Sequence, residues 1–131
     1  MGFYSCGAQN TKEEATAAPE VSEEVFSGVI DAQKLKSLLE ENSEIVVIDV
    51  RTPQEIEQGK LKGALTIDYR SDKFEAEIAK LDKSKKYALY CKSGGRSGRA
   101  YDKMKDMGFT QLVDLEGGFT AWESAGYPVE K

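Results

Sequence analysis

There is no histidine in the 131 residues of this chain. That absence removes Cys-His and Ser-His catalysis together with most zinc sites. Cysteine is scarce too, with Cys6 and Cys91 as the pair. One stands in a polar tail and the other at the end of an apolar run, which is not the even, closely spaced set of a disulfide scaffold. No apolar run approaches the roughly 20 residues that a membrane-crossing helix needs. Positive charge is in deficit: the formal net charge is −5, which argues against a nucleic-acid partner, since such a partner calls for a basic face.

The chain is 40% hydrophobic and 31% charged, ordinary for one soluble globular domain with a real core. Much of the negative charge is local. Residues 1–24 hold Glu13, Glu14, Glu20, Glu23 and Glu24 against Lys12 alone, a balance of −4, so the rest of the chain sits near neutrality at −1. Residues 7–24 are rich in Ala, Glu, Thr and Gln, contain Pro19 and show no sustained period. They are expected to be a disordered linker. The division is therefore a tail over 1–24 and a domain over 25–131.

Within the domain, apolar runs alternate with helical patterns. Asp31 is placed to cap a helix bearing Leu35, Leu38 and Leu39. Ile45-Val46-Val47-Ile48 reads as a strand buried on both faces, and it runs into Asp49-Val50-Arg51. Thr52-Pro53 opens a short helix with proline at its first position. Ala64-Leu65-Thr66-Ile67 reads as a further strand. Ser71 is expected to cap a helix carrying Phe74, Ile78 and Leu81. Tyr87-Ala88-Leu89-Tyr90 is another buried strand, and a helix is expected from Ser97 to Met107, stopped by Gly108. Leu112–Leu115 forms a strand, and Gly117-Gly118 turns it into a last helix with Phe119 and Trp122, ended by Gly126 and Pro128. Strands alternating with helices imply an α/β fold, a parallel sheet with helices on both faces.

The stretch Cys91-Lys92-Ser93-Gly94-Gly95-Arg96-Ser97 carries the chemistry. It places a cysteine at the carboxyl end of a strand, where ligands bind in open parallel sheets. Successive N–H groups in a glycine-containing turn, joined to a helix N-terminus, form an anion-binding concavity. A thiolate is an anion, so the same field lowers the thiol pKa. With no histidine to act as base, this field is the evident route of activation. Lys92, Arg96 and Arg99 add positive charge, and residues 91–99 contain no acid. A buried structural cysteine does not call for such a loop.

From Val29 to Val129 the chain resembles a single-domain rhodanese. The residues that carry the resemblance are Asp49-Val50-Arg51, Gly59 through Gly63-Ala64, the loop from Cys91 to Ser97, and Gly117-Gly118-Phe119 with Trp122, Gly126 and Pro128. The resemblance implies sulfur transfer. Cys91 would take a sulfane sulfur from a small anionic donor such as thiosulfate, hold it as a persulfide and pass it to cyanide or a thiol, which could belong to a protein. It further implies that the backbone of Lys92, Ser93, Gly94, Gly95, Arg96 and Ser97 cradles the persulfide and the donor. Arg96 would fix the loop and help place the anion, and Asp49 with Arg51 would brace structure near the site. No cofactor and no metal is implied. The family usually has histidine where Lys60 stands, so a hydrogen bond from that ring is expected to be lost.

Two other classes compete. A dual-specificity cysteine phosphatase shares this architecture but places five residues between cysteine and arginine, where this chain has four between Cys91 and Arg96. The shorter loop suits a sulfur-sized centre. An arsenate reductase is a related rival. From a different class comes a persulfide carrier or regulatory module that relays sulfur without turnover. Nothing in the sequence points beyond a monomer. Phe3-Tyr4-Ser5-Cys6-Gly7 resembles the end of a bacterial lipoprotein signal, with Cys6 as the lipidated residue; the apolar segment that precedes such a cysteine would then lie upstream of a Met1-Gly2 addition. On that reading the protein belongs to the cell envelope or periplasm. Read as a chance cysteine, Cys6 leaves it in the cytoplasm. Both readings stay open.

Overall fold

The structure is a computed structural model that describes residues 26–131; the expectations for the tail and for Cys6 lie outside the described residues. The elements follow in the order β1 (Ser27–Ile30), α1 (Ala32–Glu41), β2 (Val46–Asp49), α2 (Pro53–Ile56), β3 (Lys60–Leu61), β4 (Leu65–Thr66), α3 (Phe74–Ala79), β5 (Tyr87–Tyr90), α4 (Gly95–Asp106), β6 (Leu112–Leu115), α5 (Gly118–Ser124) and β7 (Val129–Glu130). Five strands pair in parallel in the order β1-β6-β5-β2-β4. This is the α/β arrangement expected from the alternation of strand and helix patterns.

The central strands β2, β5 and β6 are largely apolar because both faces of the sheet are covered there, whereas the edge strands β1 and β4 are partly exposed. Side chains alternate across the sheet. Ala88 and Tyr90 of β5 join Val47, Val113 and Leu115 in a core closed by Leu35 of α1 and by Phe119 and Trp122 of α5. Tyr87, Leu89 and Cys91 face the other way, with Ile48 and Leu112, under Phe74 and Ile78 of α3 and Ala100 and Met104 of α4. Fully buried Leu35, Ile48, Ile78 and Leu89 each contribute about 2 kcal/mol by leaving water. No helix among the described residues is long and apolar enough to cross a membrane.

Local chemistry sets the element ends. The Asp31 carboxylate accepts from Lys34 N–H and caps α1, as its position predicts. Thr52 and Glu55 form a reciprocal capping box on α2, with Pro53 in its first turn. Ser71 departs from expectation. Its hydroxyl accepts from Lys73 N–H, its carbonyl accepts from Phe74 N–H, and α3 starts only at Phe74 with no side-chain cap. A Ser hydroxyl can close a local turn two residues on as readily as it caps a helix, and here the turn takes it.

The antiparallel pair of β3 with β7 was not foreseen; it sets Lys60 opposite Glu130 and Leu61 opposite Val129. A two-residue strand has no period to read. Lys60 does not leave its position without a hydrogen bond, because its Nζ donates to the Ala64 carbonyl at 2.9 Å and lies 3.8 Å from Glu130. A longer flexible amine thus reaches an acceptor of its own.

Candidate active site

β5 ends at Tyr90 in the centre of the sheet, and the chain passes directly into Cys91. Val50 N–H donates to the Tyr90 carbonyl at 3.0 Å, so the carboxyl ends of β2 and β5 are locked in register beneath the loop. Gly94 then adopts φ +118°, a conformation glycine reaches without strain. That turn starts α4 at Gly95, two residues before the expected Ser97, with Gly98 N–H donating to the Gly94 carbonyl. The N–H groups of Gly95, Arg96 and Ser97, in the first turn, therefore have no partner within the helix.

Cys91 lies in the bowl these groups form. Its side chain is 1% exposed, and Gly94 N–H donates to Sγ at 3.0 Å. Burial pushes the thiol up. Hydrogen bonds from the N–H and hydroxyl of Ser97 and from the N–H groups of Gly94 and Ser93 outweigh burial, and the thiol is held below its ordinary value. The groups that hold the thiol down are hydrogen-bond donors of the loop and the helix start, and the chain has no histidine.

The floor of the bowl is fixed from α5. Phe119 N–H donates to the Cys91 carbonyl at 2.8 Å and Thr120 N–H to the Lys92 carbonyl at 3.1 Å. Gly118, at φ +57°, lets this helix start approach: a Cβ there would sit 2.4 Å from the Cys91 carbonyl oxygen and 2.6 Å from that of Lys92.

Arg96 meets a carboxylate that the sequence of the loop does not contain. Its two terminal nitrogens hold Glu55 in a bidentate pair, Nη1 to Oε1 at 2.7 Å and Nη2 to Oε2 at 2.8 Å. Arg96 keeps its charge more firmly because of Glu55, against the opposing effect of burial. The Glu55 carboxyl is lowered to about 2, chiefly by Arg96. Lys92 makes no salt bridge among the described residues and is exposed. Glu55 was legible only as a capping-box residue; nothing in the sequence ties α2 to the loop.

The Glu55–Arg96 pair has a pH consequence. A carboxyl lowered on folding contributes stability above the ordinary glutamate range, and that contribution is lost as pH falls from there through about 2. Acidification over this window should cost the wild-type chain about 1–2 kcal/mol that Glu55→Gln has already lost. Thermal melts of both proteins between neutral pH and pH ~2 check it; parallel curves would show the pair to be idle.

Asp49 and Arg51 lie beside this architecture, on the opposite face of the sheet from Cys91. Arg51 is 3% exposed and Asp49 fully buried. Arg51 Nε and Nη2 bind the Asp49 carboxylate, and Nη2 also donates to the Gly59 carbonyl at 2.7 Å. Tyr90 donates its hydroxyl to Asp49 and accepts from Leu61 N–H. Burial lowers the tendency of Arg51 to stay charged, but Asp49 reverses it. For Tyr90, burial and then the Asp49 charge push the phenol far up, so it remains a donor. Phe119 closes the network, its ring 4.4 Å from the Arg51 guanidinium carbon. The pair thus ties β2, β5, the β3 turn and α5 together.

One further acid lies near Cys91. Asp114 of β6 is 6% exposed and accepts from the Ser97 hydroxyl at 2.6 Å. No sequence pattern pointed to it. Among the described residues, no group of three or more Cys, Asp or Glu side chains is arranged to hold a metal ion.

Comparisons with known proteins agree with this fold. Residues 31–125 match the model of the rhodanese-like domain. The chain is 30% identical over 100 residues to a sulfurtransferase of Allochromatium vinosum, covering 76% of this chain and 92% of that protein. It is 33% identical over 93 residues to thiosulfate sulfurtransferase 16 of Arabidopsis thaliana, covering 63% and 78%. Among solved structures, a rhodanese-related protein from Thermoplasma volcanium superposes with a TM-score of 0.70 at 31% identity, over 78% of this chain and 96% of that one.

Proposed function

Since this chain belongs to the rhodanese-like domain family, we propose that it is a sulfurtransferase working through a persulfide on Cys91. The thiolate attacks the sulfane sulfur of an anionic donor such as thiosulfate. A new S–S bond forms to Sγ, the donor's S–S bond breaks, and sulfite leaves with the electron pair. Cyanide or a thiol then takes the outer sulfur and returns the thiolate. The thiolate, the donor, the sulfite and the persulfide are all anions, an acceptor thiol attacks as its thiolate, and no proton donor is required at the reacting sulfur.

The observation that carries the reading is the thiol of Cys91 held in a bowl of N–H groups, with Gly94 N–H at 3.0 Å. Such a bowl serves a thiolate at Sγ and, one S–S bond of about 2 Å further out, the anionic outer sulfur of a persulfide. The relatives named for sulfur transfer support the same chemistry. Intact mass after incubation with thiosulfate tests it. The expected result is a gain of one sulfur atom, discharged by cyanide; no adduct with any sulfane donor would overturn the proposal. Ready loading with slow turnover would mark the protein as a persulfide carrier, and its acceptor as a protein thiol.

The loop side chains should contribute unequally. Arg96→Ala releases Glu55 beside the bowl and removes the brace between α2 and the loop, whereas Lys92→Ala removes an exposed charge. Donor use, read as kcat/KM for thiosulfate, should fall by roughly 10–100-fold in the first and by less than about 3-fold in the second. Equal small losses would show that the backbone alone binds the donor.

A further inference from the structure

Arg96 is the partly buried cation of the cysteine loop, and the fold neutralises it. Lys92 and Arg99 are exposed, where water and salt screen them; the Arg96 side chain is 14% exposed. Both of its Nη atoms are held by Glu55. That carboxylate is fixed from its own side as well, since Oε1 accepts from the N–H and from the hydroxyl of Thr52, each at 3.1 Å. The pair is therefore locked by the start of α2 rather than formed by two loose side chains meeting in solvent. A second acid stands near it. Asp68 follows β4 at the carboxyl edge of the sheet, half-buried, with Tyr69 N–H bonded to the Val50 carbonyl beside it. It accepts from Arg70 N–H and forms no salt bridge among the described residues. The Arg96 guanidinium is close enough to feel both Asp68 and the charge of Cys91.

We propose, given sulfur transfer at Cys91, that Glu55 is a specificity-determining residue: by cancelling Arg96 it weights the site against doubly charged donors such as thiosulfate and toward singly charged ones. The bowl of N–H groups holds one negative charge, at the sulfur. Thiosulfate brings a second on its sulfonate, and that charge needs a cation at the rim. Arg96 would serve, but Glu55 offsets its charge and Asp68 leaves the rim acidic. Charge, more than hydrogen-bonding capacity, is what the pair removes, for the guanidinium keeps N–H groups that Glu55 does not use. The methanethiosulfonate anion, with a methyl group in place of one oxygen, has no second charge to place. The thiolate attacks its sulfane sulfur, an S–S bond forms to Sγ, the donor's S–S bond breaks, and methanesulfinate leaves with the electron pair. Two negative charges enter that step and two leave it, against three on each side with thiosulfate.

The selection holds at every pH where the thiol is ionised. Arg96 first, and then the Thr52 hydrogen bonds, hold the Glu55 carboxyl down at about 2, so its charge is always present when a donor arrives. Arg96→Ala leaves that charge uncompensated at the rim, and thiosulfate should suffer more from it than methanethiosulfonate does.

The test compares reagents of increasing charge at Cys91 in wild type and in Glu55→Gln, which keeps the side-chain length and one oxygen acceptor. Alkylation by neutral iodoacetamide and by singly charged iodoacetate is read on the Cys91 peptide by mass spectrometry. Sulfur loading from methanethiosulfonate and from doubly charged thiosulfate is read as the rate of gain in intact mass. Each rate is divided by the iodoacetamide rate of the same protein, which removes any change in thiolate fraction. In Glu55→Gln the singly charged reagents should gain about 3-fold and thiosulfate about 10-fold, and both gains should shrink as salt is added. Gains that are absent, or equal for all charges, overturn the proposal. If a thermal melt shows the variant unfolded, wild type decides: its normalised thiosulfate rate should rise with potassium chloride, and a fall would reveal an uncancelled cation at the rim and overturn the proposal equally. If no donor loads Cys91, the sulfur-transfer reading fails, and the iodoacetate-to-iodoacetamide ratio still decides whether Glu55 selects by charge.

Discussion

Cys91→Ser is expected to retain the fold and to lose sulfur transfer altogether. Sγ sits at 1% exposure among groups that tolerate a smaller hydroxyl, and a serine oxygen can accept the same Gly94 N–H. The melting temperature should therefore stay within a few degrees of wild type. The chemistry has no such substitute. A serine hydroxyl ionises far above any pH at which the N–H bowl could hold it as an anion, and no histidine exists to act as a base for it. Thiosulfate:cyanide turnover should fall by ~10³-fold or more, at least ~4 kcal/mol in the barrier, and the sulfur adduct should vanish from the mass spectrum. A variant that still loads sulfur would move the nucleophile elsewhere.

Gly118→Ala should be the most damaging methyl that can be added near the loop. The new Cβ would lie 2.4 Å from the Cys91 carbonyl oxygen and 2.6 Å from that of Lys92. These are backbone atoms, and they are also the acceptors of Phe119 and Thr120 N–H, so they cannot retreat without breaking those bonds. The left-handed φ adds ~1 kcal/mol or more for an L-residue. Together a loss on the order of 3–5 kcal/mol is expected, with the loop displaced and persulfide loading impaired in whatever remains folded. Gly126→Ala is the control. It has a comparable φ of +78° but open space around it, so it should cost only the ~1 kcal/mol of backbone strain. Urea unfolding of both variants measures the difference; costs within ~1 kcal/mol of each other would show that the α5 approach is not a structural requirement of the loop.

Both predictions turn on the same construction. The bowl around Cys91 depends on helix N-termini from two directions: α4 supplies donors to the sulfur, and α5 supplies donors to the carbonyls behind it. Glu55 holds Arg96 at the rim. Asp49, Arg51 and Tyr90 hold the strand ends on the opposite face. The chemistry is that of one sulfur atom, and much of the domain serves to keep N–H groups pointing at it.

The sequence by itself determined strands β2, β4, β5 and β6, though not β1, β3 or β7, together with the parallel α/β arrangement and the cysteine loop on which the proposal rests. Continuous apolar tetrads such as Tyr87–Tyr90 read as strands buried on two faces, and a histidine-free chain leaves the field as the evident route to a reactive cysteine. These are local or compositional properties. Ser71 was misread because a hydroxyl has two local uses, and the choice between them depends on where the chain must go next. The β3–β7 pair was missed because two residues carry no period. Glu55 and Asp114 were missed for another reason. Each is a carboxylate far along the chain from the loop it serves, and only the packing of α2 against the loop and of β6 beneath α4 brings them within hydrogen-bond distance. Charge that looked uniformly positive over residues 91–99 is therefore balanced at the rim by Glu55, and the acid that faces Ser97 comes from a different strand. Sequence placed the candidate cysteine; tertiary contact set its electrostatic surroundings, because those surroundings are made by residues that become neighbours only on folding.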